Sequence, residues 1–122
     1  MKKRILIIDD SPTVLRILES LLTQSDYDVV LADTGEKGVA NSLEEKSKQY
    51  DLILIDTVLP GIDGFEVCRR IREQQVSSKI VIMTGYIDAI DAEKARSVGA
   101  DDYIVKTSDF NPLMDTIEKL LH

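Results

Sequence analysis

The chain has 122 residues, 43% of them hydrophobic and 30% charged, which is the composition of one globular domain with a core of its own. Its formal net charge of -7 argues against direct binding to nucleic acid, because neutralising phosphates requires clustered Lys and Arg. No apolar segment is long enough for a signal peptide or a membrane span, and Cys68 is the single cysteine, so we expect a cytoplasmic protein with no membrane partner and no internal disulfide.

Five short apolar runs along the chain predict β-strands. They are nearly continuous in Ile, Leu and Val, which is typical of parallel strands that are buried on both faces. Amphipathic stretches separate them, and this alternation indicates βα units rather than hairpins. We therefore predict a single α/β domain over residues 1–122, with strands over 4–8, 27–32, 51–55, 79–83 and 102–105.

Five helices are predicted between and after these strands. The first is expected to begin with Ser11 as its N-cap and Pro12 as its first helical residue, a favoured pair at this end of a helix. In the second helix, Val39 and Leu43 are expected to contact the core. The fourth is expected to end at Gly99, since glycine suits the left-handed conformation that follows many helices. The second to fifth helices are predicted over 35–48, 64–74, 88–98 and 110–121.

Four of the predicted strands end in polar residues of different chemistry. Asp9 and Asp10 follow the first strand, Asp56 the third, Thr84 the fourth and Lys106 the fifth. The carboxyl ends of parallel strands lie on one edge of a sheet, where open α/β sheets bind ligands, so we expect these side chains to converge. Three carboxylates, one hydroxyl and one ammonium at one point indicate a site for a divalent cation and a phosphoryl group.

The acidic residues of this set suit a hard cation. Asp9, Asp10 and Asp56 form an oxygen-only set that fits Mg²⁺, and a cation there helps an anionic phosphate donor approach a carboxylate. Asp56 is then the expected nucleophile, which forms an aspartyl phosphate. Lys106 supplies a charge and Thr84 a hydroxyl donor for the phosphoryl oxygens, and such positioning is most of what phosphoryl transfer requires.

Four motifs at strand ends carry a resemblance to a known family, and they cover essentially the whole chain in order. The motifs are Ile7-Ile8-Asp9-Asp10-Ser11, then Asp56 through Pro60-Gly61-Ile62-Asp63-Gly64, then Met83-Thr84-Gly85, then Gly99-Ala100-Asp101-Asp102-Tyr103-Ile104-Val105-Lys106. Each motif is weak alone, but together, and in this order, they are very specific. The chain resembles the response-regulator receiver domains of bacterial two-component signalling.

The resemblance implies a fold and a function. The fold is a flavodoxin-like (βα)5 three-layer sandwich with a parallel five-stranded sheet of order 2-1-3-4-5, which places the strand over 27–32 at an edge. The function is that of a phosphoacceptor, which takes a phosphoryl group from a sensor histidine kinase or a histidine phosphotransfer protein and changes its protein-binding face. Such a domain is a signalling protein rather than an enzyme, although it catalyses its own phosphorylation and dephosphorylation.

The resemblance also implies a role for each site residue. Asp56 is the phosphoacceptor, Thr84 and Lys106 contact the phosphoryl group, and Thr84 acts with Tyr103 as the switch. A downstream protein partner is expected at the face made by 88–121. The implied metal ion is Mg²⁺ or Mn²⁺, and the implied ligands are Asp9, Asp10, Asp56 and the backbone carbonyl of Val58.

Two of the features that depart from the family pattern bear directly on the site. Receivers usually carry a proline in a cis peptide after the site lysine, and here the pair is Lys106-Thr107, which leaves the geometry of that peptide open. Val58, at a position that borders the phosphoryl site in the family, offers no side-chain hydrogen bond to an attacking water.

Alternatives remain open at this stage. The chain is either a stand-alone receiver, which the abrupt end at Leu120-Leu121-His122 favours, or a receiver fragment of a longer multidomain regulator or hybrid kinase. A haloacid-dehalogenase-type phosphatase also uses an Asp nucleophile after an apolar strand, but it needs an acid two residues later, where this chain has Val58. A flavodoxin-like electron carrier needs a Ser/Thr/Gly-rich cradle for the flavin phosphate, whereas the loop after the first strand is acidic.

Overall fold

The computed structural model describes residues 2–44, 49–85 and 89–122, and strands alternate with helices throughout these ranges. The strands within them are β1 (Arg4–Ile8), β2 (Asp28–Ala32), β3 (Leu52–Asp56), β4 (Lys79–Thr84) and β5 (Asp102–Val105). The helices within them are α1 (Pro12–Gln24), α2 (Gly35–Leu43), α3 (Gly64–Glu73), α4 (Ala89–Ser97) and α5 (Asn111–Leu121). None of these helices combines the length and the apolar character that crossing a membrane requires.

The strands of the described residues form one parallel sheet in the order β2-β1-β3-β4-β5. In the register of this sheet, Ile8 of β1 lies opposite Ile55 of β3, and Thr84 of β4 lies opposite Val105 of β5. The carboxyl ends of the strands are therefore aligned along one edge. The flavodoxin-like order implied by the resemblance is confirmed, and so is the edge position of β2.

The core consists of two apolar layers, one on each face of the sheet. Because successive side chains of a strand point to opposite faces, Leu6 and Ile8 pack on one side of β1 and Ile5 and Ile7 on the other. The first layer is completed by α2, α3 and α4, and the second by α1 and α5. Helices on both faces explain why the strands are continuous apolar runs rather than alternating ones.

The edge strands differ from the central ones in burial. Every residue of β3 is buried, whereas β2 and β5 each begin with an exposed residue and continue with partly buried ones, apart from the buried Ala32 at the end of β2. The prediction that the strands are buried on both faces is thus correct for β1, β3 and β4, and it is wrong for the edge strands β2 and β5. An edge strand lacks a neighbour on one side, so the helices cover its side chains less completely.

Local sequence signals fix the starts of three helices. The Ser11 side chain accepts a hydrogen bond from Val14 N, with Pro12 at the first helical position as predicted. The Thr34 hydroxyl caps α2 and the Asp63 carboxylate caps α3 in the same way, each accepting from a backbone N–H in the first turn. At the other end of α4, Gly99 has φ of +95°, the left-handed conformation predicted for it.

Helix α2 is where the described structure differs most from the prediction. The helix ends at Leu43 and Glu44 caps it, while the remainder of the predicted range, 45–48, lies outside the described residues. Val39 packs against the core as expected, but Leu43 is 36% exposed, so its predicted core contact is wrong. Leu43 lies beside the stripe of the helix that faces the sheet. That stripe consists of Gly35, Gly38 and Ser42, all buried.

The other predicted boundaries agree with the described elements to within one residue. The predicted start of α4 at residue 88 lies outside the described residues.

Candidate functional site

The polar residues at the strand ends converge at the carboxyl edge of the sheet. Asp9 follows β1, Asp56 is the last residue of β3, Thr84 is the last residue of β4, and Lys106 follows β5. Lys106 N donates to the carbonyl of Thr84 at 2.6 Å, so the ladder between β4 and β5 continues to the site. The parallel register alone is enough to bring these four residues together.

The ammonium group of Lys106 lies between two carboxylates. Its Nζ atom is 3.0 Å from Asp9 Oδ2 and 3.2 Å from Asp56 Oδ1. The Asp9 side chain is fully buried, that of Asp56 is 7% exposed and that of Lys106 is 18% exposed. The second oxygen of Asp9, Oδ1, accepts a hydrogen bond from Ser11 N at 2.9 Å. Both oxygens of Asp9 are therefore held in place, and Asp9 in turn positions Lys106.

Burial and crowding shift the protonation of these groups. Burial, followed by the charge of Asp9, raises the pKa of Asp56 above its ordinary value, although Lys106 opposes this shift. Burial lowers the pKa of Lys106, but the hydrogen bonds and charges of Asp9 and Asp56 outweigh this effect and raise it. The site therefore holds more negative charge than Lys106 alone neutralises.

The carboxylates of Asp9, Asp10 and Asp56 form a set that fits a divalent cation. Each offers one oxygen, and these oxygens lie within 4.8 Å of one another. Asp10 is exposed, so its oxygen faces the solvent from which an ion arrives. An oxygen-only set that includes a solvent-facing ligand suits Mg²⁺, which prefers carboxylate ligands and retains several of its waters.

The remaining predicted residues lie around this cluster. Thr84 is buried beside it, whereas the Val58 side chain is 75% exposed in the loop after β3. Tyr103 is partly buried in β5, and its ring centroid lies 6.5 Å from that of Phe65 at the start of α3. The structure thus brings Asp9, Asp56, Thr84 and Lys106 together, with Tyr103 on the neighbouring face.

The loop after Lys106 is built without the usual proline. No cis peptide bond occurs among the described residues, so the Lys106-Thr107 peptide is trans. The Thr107 hydroxyl donates to the carbonyl of Asp109 at 2.9 Å, and the Asp109 carboxylate accepts from Asn111 N at 3.0 Å. These local hydrogen bonds shape the turn that leads into α5.

The structure shows why glycine occupies position 64 beside the site, which the sequence alone did not reveal. It appears in the motif as part of a turn, but a Cβ atom at this position would lie 2.1 Å from the carbonyl oxygen of Asp56. Gly64 N also donates to the carbonyl of Thr57 at 3.1 Å. The start of α3 thus packs directly on the backbone that carries Asp56, and only glycine permits this approach.

Comparison with known proteins gives a consistent family. A family model described as the response regulator receiver domain matches residues 5–118. Response regulator ArlR of Staphylococcus aureus is 42% identical over 118 residues, which cover 97% of this chain and 52% of ArlR. The chain therefore spans about half the length of the curated relatives it matches.

Two solved structures agree with this result. The CheY-like response regulator receiver domain protein of Methanospirillum hungatei is 29% identical, with a TM-score of 0.89 over 99% of this chain and 94% of that one. Response regulator TrrA of Thermotoga maritima, solved in complex with Mg²⁺-BeF, is 34% identical, with a TM-score of 0.82 over 98% and 99% of the two chains. This chain belongs to the receiver domains of two-component response regulators.

Proposed function

We propose that Asp56 accepts a phosphoryl group from the phosphohistidine of a sensor histidine kinase or a histidine phosphotransfer protein. The observation that carries this proposal is the position of Asp56, a nearly buried carboxylate at a strand end, 3.2 Å from the Lys106 ammonium and within a cluster of three carboxylates. Unneutralised negative charge on buried carboxylates destabilises the protein unless the site binds a positively charged partner.

In the proposed step a carboxylate oxygen of Asp56 attacks the phosphorus atom. A P–O bond forms while the P–N bond to the imidazole breaks, and the electron pair stays on the imidazole nitrogen. Lys106 and the Thr84 hydroxyl donate hydrogen bonds to the phosphoryl oxygens, whose charge is spread over the group during transfer. The low exposure of the Asp56 side chain keeps water away from the nucleophile.

Asp9, Asp10, Asp56 and the backbone carbonyl of Val58 are the proposed ligands of Mg²⁺ or Mn²⁺. When bound, this cation neutralises the carboxylates and allows an anionic donor to approach. We infer that the domain itself catalyses the gain and the loss of its phosphoryl group, because the side chains that contact this group, those of Asp56, Thr84 and Lys106, all belong to the domain. The Val58 side chain, exposed and apolar, cannot orient a water for hydrolysis.

Phosphorylation is proposed to act on the face made by α4, β5 and α5. A phosphoryl group on Asp56 attracts the Thr84 hydroxyl, which frees space for the Tyr103 ring to turn inward. Such a change transmits a signal if a downstream protein partner binds the two arrangements unequally. Membership of the family supports a cytoplasmic location for this exchange.

The test is incubation with acetyl phosphate and Mg²⁺, followed by mass spectrometry of the intact protein. We expect the wild type to gain the mass of one phosphoryl group, and Asp56→Asn and EDTA treatment each to abolish the gain. Asp33→Asn is the matched control, because Asp33 also follows the carboxyl end of a strand but is exposed and pairs with Lys37 at 2.9 Å. A mass gain that persists in Asp56→Asn contradicts the assignment of the phosphoacceptor.

A further inference from the structure

The turn that leads from Lys106 into α5 is short and lies at the surface. Strand β5 ends at Val105 and α5 begins at Asn111, so residues 106–110 make the whole connection. The three residues in the middle of this turn are exposed, and they are Thr107, Ser108 and Asp109. Because they bury little apolar surface, packing contributes little to the conformation of the turn.

The two ends of the turn are fixed to the rest of the domain. At its start, Lys106 N donates to the carbonyl of Thr84 at 2.6 Å. At its end, Phe110 packs against the apolar layer on the side of α1 and α5, and its carbonyl accepts from Met114 N at 2.9 Å. Within the part of the chain that the structure describes, residues 107–109 make no backbone–backbone hydrogen bond. The middle of the turn is therefore ordered by other contacts.

Two side-chain hydrogen bonds provide that order. The Thr107 hydroxyl donates to the carbonyl of Asp109 at 2.9 Å, and Asp109 Oδ1 accepts from Asn111 N at 3.0 Å. Phe110, at the N-cap position of α5, makes no side-chain cap hydrogen bond, so the Asp109 carboxylate accepts the first N–H of the helix instead. The two bonds share Asp109 and together close the backbone between Thr107 and Asn111.

The ammonium of Lys106 depends on where its backbone is held. Its Nζ atom lies 3.0 Å from Asp9 Oδ2 and 3.2 Å from Asp56 Oδ1, at the end of a long and flexible side chain. This side chain is 18% exposed, so water can solvate the ammonium when it leaves the two carboxylates. Small displacements matter at such a site, because a shift of about 1 Å in a positioned group can slow a reaction a hundredfold.

We propose that Thr107 and Asp109 are positioning residues, whose two hydrogen bonds hold the backbone after Lys106 so that its ammonium stays between Asp9 and Asp56. The inference rests on the proposed function, because transfer to Asp56 is the step that a displaced Lys106 slows. Both residues act through Lys106 rather than on the phosphoryl group. If the two bonds served only to begin α5, their loss would lower the stability of the protein and leave the Lys106 side chain as it is.

The first test is the NMR signal of the two Hε protons of Lys106 in the free protein, assigned by its absence in Lys106→Met. In the wild type we expect two separate chemical shifts, because the side chain is held in one conformation. Thr107→Val keeps the size of the side chain and removes the hydroxyl, and we expect the two shifts to approach each other. Thr107→Ser keeps the hydroxyl and should restore their separation. Equal shifts in the wild type, or an unchanged separation in Thr107→Val, overturn the proposal.

The second test is the initial rate of labelling by acetyl phosphate and Mg²⁺. We expect Thr107→Val and Asp109→Ala each to be labelled about three- to tenfold more slowly than the wild type, because each loses one hydrogen bond of the turn. Thr107→Ser and Asp109→Asn keep the hydroxyl and the acceptor oxygen, and they should be labelled close to the wild-type rate.

The two proposals fail in different ways in this second test. A wild type that gains no phosphoryl group contradicts the proposed function, and the NMR comparison then decides on the turn, since it needs no labelling. A wild type that is labelled, with Thr107→Val and Asp109→Ala labelled equally fast, overturns the positioning role.

Two matched controls separate positioning from the mere loss of a hydroxyl. Ser108→Ala removes the exposed hydroxyl of the same turn, which belongs to neither of the two bonds. Thr116→Val removes a hydroxyl that donates to the carbonyl of Pro112 at 3.1 Å, within α5. We expect both variants to keep the separation of the Lys106 Hε shifts and the wild-type labelling rate. Controls that change both quantities as much as Thr107→Val does overturn the proposal.

Discussion

Two clusters of partly buried charge lie at opposite edges of the sheet, and they are balanced differently. At the carboxyl edge, the single ammonium of Lys106 faces Asp9 and Asp56. At the amino edge, Arg72 faces the single carboxylate of Asp101, and its other N–H groups donate to backbone carbonyls. The first cluster carries surplus negative charge, whereas the second is satisfied by the protein itself.

This difference in charge balance distinguishes a binding site from a cluster that only stabilises the fold. A satisfied cluster has nothing left to offer a ligand, and breaking it leaves buried groups without partners. A cluster with surplus charge is costly to keep in the free protein, and an added cation or a phosphoryl transfer can relieve the cost. The side chains of Asp9, Asp56 and Lys106 are at most 18% exposed, against 24% for Arg72 and 31% for Asp101, so deeper burial and unbalanced charge together mark the functional edge.

The largest effect is expected where the backbone of the acidic cluster is supported. Gly64→Ala would place a methyl group 2.1 Å from the carbonyl oxygen of Asp56, so β3 or α3 must shift. We expect a loss of about 3 kcal/mol of unfolding free energy, the upper end for overpacking, together with loss of labelling by acetyl phosphate. Urea denaturation and mass spectrometry measure the two effects.

The matched control for this variant is Gly85→Ala. Gly85 follows Thr84 on the same edge of the sheet, but a Cβ atom there meets no heavy atom within 4 Å. We therefore expect the urea midpoint of Gly85→Ala to stay close to that of the wild type. If the two variants unfold alike, close packing beneath Asp56 is not what holds the site.

A second prediction concerns the satisfied cluster. Arg72→Met removes the guanidinium and leaves Asp101 and three carbonyls without their donor. The Arg72 side chain is 24% exposed, so water can replace some of these bonds, and we expect a loss of about 2–3 kcal/mol in urea denaturation. Arg70→Met, two residues away on an exposed face of α3, should change little, because surface ion pairs contribute little. Equal midpoints for the two variants would refute the structural role of Arg72.

The third and smallest predicted effect is a gain in stability rather than a loss. Burial and Asp9 raise the pKa of Asp56 in the folded state, so stability falls as pH rises from the unfolded-state pKa to the folded-state pKa, and the penalty persists at neutral pH. Asn carries no charge. We therefore expect Asp56→Asn to be more stable than the wild type at pH 7 in EDTA, with the gap closing as pH falls through the folded-state pKa of Asp56.

Thermal unfolding across this pH range measures the gap, and Asp33→Asn is its control. The hydrogen bond and then the charge of Lys37 lower the pKa of Asp33, so neutralising Asp33 should bring no gain in stability. Added Mg²⁺ should stabilise the wild type more than Asp56→Asn, because binding to the folded state raises its stability. A variant no more stable than the wild type in EDTA contradicts the idea of surplus charge.

Much of the acidic site could be predicted because its residues are tied to strand ends. Once Asp9, Asp56, Thr84 and Lys106 are placed after apolar runs, the parallel register brings them together without further information. The salt bridges of Lys106 supply distances within the predicted set of site residues, but they add no residue to that set. The individual catalytic and metal-binding roles of these residues stay predictions that the labelling experiments test.

Other features could not be predicted because they depend on where a helix faces. Leu43 fits the apolar spacing of α2, yet the glycines of that helix take the side against the sheet and leave Leu43 at the surface. The partners of Arg72 are 27 and 29 residues away, at Gly99 and Asp101, and are joined to it only when α3 and the loop after α4 pack together. No local pattern distinguishes Arg72 from its exposed neighbours.

The sequence by itself determined the alternation of strands and helices and the edge at which chemistry is possible, because apolar runs and helix caps act over a few residues. Tertiary structure decided which charges are balanced and which are not. Asp56 and Asp101 are both acidic residues at the ends of strands or loops, but one faces Asp9 and Lys106 while the other receives Arg72. The free energy of a buried charge depends on neighbours that come from distant parts of the chain, and only packing brings those neighbours together.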